Sequence, residues 1–191
     1  MDLKLKKTIE SAVENEVKQG VADLAVKTIK KVYSGNFWLV GGYISNIAIP
    51  IIHDYSLDKP TDVDIVLQEP FDCSLIPDIK SWERTKTFHD GLRYLKDEEG
   101  IDIWTLDSCF GIKKRGLDLT IQNYLLTVPL TSQALAYDFD KKEIYNEIGL
   151  RALETKTVEV NDQKEIEQAS WRPWKEYLQR KANKLKFKAI F

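Results

Sequence analysis

The stretch Thr61-Asp62-Val63-Asp64-Ile65-Val66-Leu67 decides the fold. Its apolar, β-branched composition is typical of a short buried strand that begins with two carboxylates. Side chains alternate between the faces of a strand, so we expect Asp62 and Asp64 on one face while Val63 and Ile65 point into a core. Neighbouring carboxylates repel each other unless a cation or a proton compensates. The stretch therefore predicts a clamp for a divalent metal ion.

A second apolar stretch, residues 101–106, repeats this arrangement with Asp102 between Ile101 and Ile103. If the two strands are neighbours, three carboxylates meet. Hard oxygen ligands favour Mg²⁺, and a pair of such ions can bind a triphosphate, activate an attacking hydroxyl and stabilise charge on phosphorus. We therefore predict Asp62, Asp64 and Asp102 as catalytic residues and as ligands of two Mg²⁺ ions.

A glycine turn precedes the acidic strand. Residues 37–40 are a short apolar run, followed at once by Gly41-Gly42 and by a predicted helix over residues 43–52. Glycines let a phosphate approach the backbone, and the N-terminus of a helix attracts anions. Ser45 lies one helical turn beyond Gly41 and adds a hydroxyl. We predict Gly41, Gly42 and Ser45 as nucleotide-binding residues; the ordered set of strand, glycine turn, helix and acidic strands is far more specific than any single motif.

The remaining pattern predicts an α+β fold, with a small mixed β-sheet, helices packed on it and flanking terminal helices. We expect one domain over residues 1–191, made of an N-terminal helical segment (1–35), a core (36–160) and a C-terminal helical segment (161–191). Gly20 is expected to divide the first helix, and Pro173 the last. The other predicted elements are strands at 92–95, 101–106, 131–137 and 143–145, a helix at 119–126 and a loop at 108–116.

Composition excludes several kinds of protein. Of 191 residues, 43% are hydrophobic and 30% charged, and the net charge of −2 argues against a general polyanion binder. With 2 Cys and 2 His, zinc sites are hard to build. No apolar run is long enough to cross a membrane and no secretory signal opens the sequence, so we expect a cytoplasmic protein without membrane partners.

Three further features have a functional and an ordinary interpretation. The basic tail from Arg180 to Lys188 is compatible with phosphate binding, but such runs are more often solvated faces. Arg93 on the predicted hairpin is within reach of a phosphate if it does not simply face solvent. Trp104 shares a strand face with Asp102, where it either stacks on a base or packs in the core, and the core is favoured.

The residues Leu39-Val40-Gly41-Gly42 and Thr61-Asp62-Val63-Asp64-Ile65 resemble the polymerase-β nucleotidyltransferase superfamily, above all the head domain of CCA-adding enzymes and bacterial poly(A) polymerases. Thr131-Ser132-Gln133-Ala134-Leu135-Ala136-Tyr137 and residues 149–156 are similar to two later motifs of those heads. The resemblance covers about residues 37–160. It implies a small mixed sheet, Asp62 and Asp64 as metal ligands, and Gly41 and Gly42 at the triphosphate of a nucleotide such as ATP.

The sequence departs from that family in two places. Ser45-Asn46 stand where the family has Arg-Asp after its Gly-Gly, and Pro129-Leu130 replace a second Arg-Asp pair. The helical RNA-binding body of a CCA-adding enzyme needs more than about 100 further residues, so CCA addition itself is not expected. The acceptor is left open between RNA, a protein hydroxyl and a small molecule. Two alternatives to transfer remain: a non-catalytic nucleotide- or RNA-binding module, and an interaction protein of the toxin–antitoxin kind.

Overall fold

A computed structural model describes residues 1–87, 89–169 and 173–191. Its helices are α1 (Leu3–Glu16), α2 (Gly20–Ile29), α3 (Gly42–His53), α4 (Phe110–Arg115), α5 (Ile121–Leu125), α6 (Glu147–Thr155), α7 (Gln163–Ala169) and α8 (Trp174–Leu185). Its strands are β1 (Phe37–Val40), β2 (Asp62–Leu67), β3 (Glu83–Lys86), β4 (Leu92–Lys96), β5 (Glu99–Thr105), β6 (Ala136–Asp138), β7 (Glu143–Tyr145), β8 (Thr157–Glu159) and β9 (Lys188–Ile190).

Within the described residues the main sheet has seven strands in the order β3-β4-β5-β2-β1-β6-β7. The central pair, β2 and β5, is parallel, and the other neighbours are antiparallel. A second, two-stranded sheet joins β8 to β9. The predicted α+β fold with a mixed sheet is therefore confirmed.

One face of the sheet carries the main core. Because side chains alternate, Leu39, Ile65 and Ile103 project to the same side, and each is fully buried. They pack in one cluster with the apolar stripe of α1, represented by Ile9 and Val13, and with α2 and α3. The break between the first two helices falls at Gly20, as predicted, where φ is +60°. This core fixes which side of β2 and β5 is left for Asp62, Asp64 and Asp102.

The opposite face is divided along the strands. At one end Trp38, Val66 and Trp104 form a second apolar cluster with α4 and α5. At the other end the strand positions are acidic, with Asp64 directly beside Asp102. The same face thus changes from a covered core to an acidic surface within two residues along β2.

Two predicted segments are wrong in detail. Residues 108–116, expected to be a loop, contain α4, because buried Gly111 and Ile112 attach this polar segment to the second cluster and Gly116 ends it at φ +60°. Basic residues in its last turn also suit the negative end of the helix dipole. Residues 131–137, expected to be a strand, begin instead as a 3-10 turn at Thr131–Gln133.

The C-terminal segment divides as predicted. Pro173 is the N-cap of α8, a position that its fixed φ and missing N–H suit. Strands β3, β8 and β9 were not predicted; all are short, and β3 lies at an exposed edge of the sheet. In the part of the chain that the structure describes, no helix has both the length and the apolar character to cross a membrane.

Candidate active site

The register of β2 and β5 brings the predicted carboxylates to one place. Asp64 pairs with Asp102, while Asp62 pairs with Gly100 two residues earlier. The three aspartates therefore lie on one face, around the junction of two parallel strands. Asp64 also pairs with Val40 of β1, so the glycine turn that follows β1 begins beside it.

Glycines make room for the two carboxylates of β2. A Cβ atom on Gly100 would lie 2.7 Å from Oδ1 of Asp62, and one on Gly41 would lie 3.4 Å from Oδ2 of Asp64. Gly41 also has φ +75° and ψ −139°, a combination that side chains with a Cβ atom disfavour. Glycine is needed at position 100 for the close approach to Asp62, whereas Gly41 is needed for its backbone conformation, because its distance to Asp64 is an ordinary contact.

Asp64 is in an electrostatically unfavourable position. Burial, followed by the nearby charges of Asp102 and Asp62, raises the pKa of Asp64 from its ordinary value to about 7. Lys181 and Arg93 oppose this rise but do not cancel it. The site therefore has room for more positive charge near Asp64 than the protein itself supplies.

Arg93 of β4 holds Asp102. Its Nε and Nη2 atoms donate to the two carboxylate oxygens of Asp102, which forms a bidentate ion pair across neighbouring strands. The pairing raises the pKa of Arg93, chiefly through this hydrogen bond. Arg93 thus occupies one lone pair on each oxygen of Asp102, and a metal ion would have to use the remaining lone pairs or displace Arg93.

The donor set fits a magnesium ion at Asp62 and Asp64. Mg²⁺ typically takes one or two protein carboxylates and completes its shell with water and substrate phosphates. Burial and then the repulsion by Asp102 and Asp62 raise the pKa of Asp64, and a divalent cation would relieve that repulsion. Among the described residues no three His, Cys, Asp or Glu side chains are grouped closely enough to hold a metal by themselves.

The glycine turn offers fewer donors than expected. The N–H of Gly41 donates to the carbonyl oxygen of Leu135 (3.0 Å), so an anion here would meet Gly42 and the first turn of α3 instead. Ser45 is buried and its hydroxyl donates to the carbonyl oxygen of Ser132 (2.6 Å). That hydrogen bond ties α3 to the turn at residues 131–133 and uses the proton that Ser45 would offer to a phosphate.

A cleft opens beside Asp62 and Asp64. Its walls are the first turns of α3, the loop before β2, the turn at residues 131–133 and one side of α8. Lys181 and Lys184 of α8 also line this cleft. The sequence showed this basic tail as compatible with phosphate binding but favoured a solvated face, and it did not place the two lysines beside the aspartates. The signal in the sequence was their spacing of three residues, which places both lysines on one face of the predicted helix.

Trp104 lies in the second apolar cluster, with 6% of its surface exposed. Its ring is 6.5 Å from that of Tyr124. The favoured interpretation as a core residue agrees with this burial, and base stacking on its ring would require that cluster to open.

The fold has distant counterparts among solved structures. The Thermotoga maritima CCA-adding enzyme complexed with tRNA aligns with 100% of this chain and 40% of its own, at a TM-score of 0.55 and 17% identity. A CCA-adding enzyme with CTP gives a TM-score of 0.53 and 17% identity over 100% of this chain and 41% of that one. A tRNA-processing enzyme in apo form gives 0.55 and 13%, over 100% and 45%. This chain has a nucleotidyltransferase-like fold.

That likeness has defined limits. The chain spans less than half the length of these structures, and the identities show a shared fold only. No protein-family model matches the sequence, and no curated protein matches it. The nucleotidyltransferase-like fold therefore rests on the three-dimensional comparison, and the chemistry has to be argued from this chain's own residues.

Proposed function

We propose that this protein is a metal-dependent nucleotidyltransferase, which moves a nucleoside monophosphate from a nucleoside triphosphate to an acceptor hydroxyl and releases pyrophosphate. The observation that carries the proposal is the register of β2 and β5, which aligns Asp64 with Asp102 and keeps Asp62 on the same face. The adjoining cleft supports it, because the start of α3 lies beside the carboxylates.

In this proposal Asp62 and Asp64 hold Mg²⁺ through their carboxylate oxygens. Asp102 would complete the site of a second ion and help to remove the proton from the acceptor hydroxyl, through the lone pairs that Arg93 leaves open or after Arg93 has moved away. When bound, the ions supply positive charge that activates the hydroxyl and stabilises the transferred phosphoryl group.

The glycine turn would position the triphosphate. Gly42 and the first turn of α3 offer backbone N–H groups and the positive end of the helix dipole. Gly41 keeps the turn close to Asp64, and Ser45 fixes α3 against residues 131–133. The acceptor oxygen bonds to the α-phosphorus while the bond to the pyrophosphate oxygen breaks.

Thermal unfolding tests the nucleotide site. A ligand that binds the native state raises the melting temperature, so we expect each accepted nucleoside triphosphate, ATP included, to do so only with Mg²⁺. Asp64→Asn should abolish that rise, whereas Asp140→Asn, an exposed carboxylate on the β6–β7 turn, should keep it. Pyrophosphate release is then measured with RNA, protein and small-molecule acceptors, and wild-type-like release by Asp64→Asn would refute the assignment.

One observation favours a second function, a non-catalytic nucleotide- or RNA-binding module. Arg93 occupies both oxygens of Asp102, so the third carboxylate is not free in this conformation. Magnesium-dependent nucleotide binding without release of pyrophosphate from the nucleotide, whichever acceptor is added, would support that module. Absence of nucleotide binding, together with a stable protein complex, would support an interaction protein.

A further inference from the structure

Helix α8 brings positive charge to the acidic cleft. Leu178, Ala182 and Leu185 are buried in the main core and fix the helix against the body. Residues three apart lie on the same side of a helix, so this anchoring directs Lys181 and Lys184 together into the cleft that Asp62 and Asp64 line. The two lysines are thus built into the cleft by the packing of α8.

The ammonium groups of Lys181 and Lys184 remain available to a ligand. Among the described residues neither lysine side chain takes part in a hydrogen bond or an ion pair, although the Lys181 ammonium lies 5.6 Å from the ring centre of Tyr177. Burial, and then the charges of Lys184 and Arg180, lower the pKa of Lys181, while Asp64 and Asp62 act in the opposite direction. A partly buried cation thus faces the carboxylates without pairing with them.

A buried hydroxyl in the same cleft also lacks a partner. Ser132 is 1% exposed and lines the cleft, and its Oγ atom has no hydrogen-bond partner within the described ranges. Its carbonyl oxygen is already bound by Ser45. Buried polar groups are nearly always hydrogen-bonded in native proteins, so this unpaired hydroxyl beside the cleft is a candidate donor to a bound ligand.

We infer that α8 completes a polyphosphate site: Lys181 and Lys184 bind the β- and γ-phosphates of the nucleotide, and the Ser132 hydroxyl donates to a phosphate oxygen. This inference rests on the proposed function. It also accounts for the neutral Ser45-Asn46, since α8 supplies cations that the start of α3 lacks. Ammonium groups act as compact charges on phosphate and need no bidentate geometry.

The combination of charges selects the ligand. Lys181 disfavours a bare cation at Asp62 and Asp64, and the two carboxylates disfavour a bare polyphosphate at the lysines. A magnesium–polyphosphate complex presents positive charge to the aspartates and negative charge to α8. We therefore expect metal and polyphosphate to bind together with positive cooperativity.

Calorimetric titration of the full chain with inorganic triphosphate and Mg²⁺ tests the site without a base. The double variant Lys181→Gln/Lys184→Gln should weaken this binding about 10- to 100-fold, since two charge-assisted contacts to phosphate are lost. Ser132→Ala should weaken it several-fold. Lys175→Gln removes an equal charge from an exposed position on α8 outside the cleft, and it should bind like wild type.

The affinity for Mg²⁺ alone gives a second test, in which the substitution should strengthen binding rather than weaken it. Mg²⁺ alone should bind more tightly to Lys181→Gln than to wild type, because a repelling charge has gone; mere damage to the fold would weaken it. Unchanged triphosphate affinity in the double variant, or no triphosphate binding by wild type, would overturn the inference. Triphosphate binding that depends on the two lysines, without release of pyrophosphate from a nucleotide with any acceptor, would support the polyphosphate site and refute only the proposed transferase activity.

Discussion

The two ends of one sheet face differ in almost every physical respect. At one end Trp38, Val66 and Trp104 are buried under α4 and α5. At the other end Asp64, which pairs with Asp102, faces a cleft that is bordered by cations rather than covered by apolar helices. Val66 and Asp64 are only two residues apart on β2, so the strand geometry is the same. What differs is the layer above the sheet, and that layer decides whether a position serves stability or chemistry.

The largest effect on the free energy of unfolding is expected when an aspartate is introduced at the covered end of the sheet face. Val66→Asp places a carboxylate at a fully buried position without a cation nearby, which should cost about 4 kcal/mol or more of unfolding free energy. Val66→Ala creates only a cavity and should cost about 2 kcal/mol. Urea unfolding measures both, and equal losses would mean that the covered end tolerates charge.

Removal of the negative charge of Asp64 should stabilise the protein in the absence of metal ions. Because the pKa of Asp64 is raised to about 7, the folded state keeps a proton that the unfolded state loses above its ordinary pKa of 3.8. Wild-type stability should therefore fall as pH rises from about 4 to about 7, and the penalty is complete above pH 7.

Asp64→Asn removes this penalty. At pH 8 in the presence of a chelator we expect it to be more stable than wild type by roughly 1–3 kcal/mol, and its unfolding free energy should lack that pH slope. Asp140→Asn is the matched control. If Asp64→Asn is less stable than wild type at pH 8, the acidic end is not under repulsion.

A moderate effect is expected at Arg93, which neutralises part of the acidic end. Arg93→Gln frees both oxygens of Asp102 and should tighten the binding of Mg²⁺ alone by about 3- to 10-fold, measured by calorimetry. Arg84→Gln on neighbouring β3, where Arg84 pairs with Asp78, removes the same charge away from the aspartates and should have no effect. Weaker binding by Arg93→Gln would show that Arg93 supports the metal site.

The smallest effect is expected at Trp104. Its indole N–H is buried and has no hydrogen-bond partner in the described part of the chain, so Trp104→Phe loses packing but also removes an unpaired donor. These effects oppose each other, and we expect a net change below about 1 kcal/mol.

The matched change Trp38→Phe should cost more, about 1–3 kcal/mol, because the Trp38 N–H donates to buried Asp138 (3.2 Å). Chemical denaturation of both variants checks this order. The reverse order would mean that the Trp104 N–H has a partner.

Local periodicity determined the parts of this protein that depend on neighbouring residues. The apolar spacing of α1 and α2, the alternation along β2 and the glycine turn all follow from contacts a few residues apart, so the sequence predicted the α+β fold and a common face for Asp62 and Asp64. The prediction of a loop at residues 108–116 was wrong, because Ile112 packs in the second apolar cluster and this polar segment forms a helix.

The tertiary structure alone decided which groups meet at the candidate site. The parallel pairing of Asp64 with Asp102 and the approach of Lys181 to Asp64 join elements that are far apart in the sequence, unlike the hairpin contact of Arg93 with Asp102. No local pattern encodes such contacts, since they arise when apolar surfaces on different elements are buried against one another. The sequence by itself determined the carboxylates and their face, and the packing of α8 on the core decided which charges they confront.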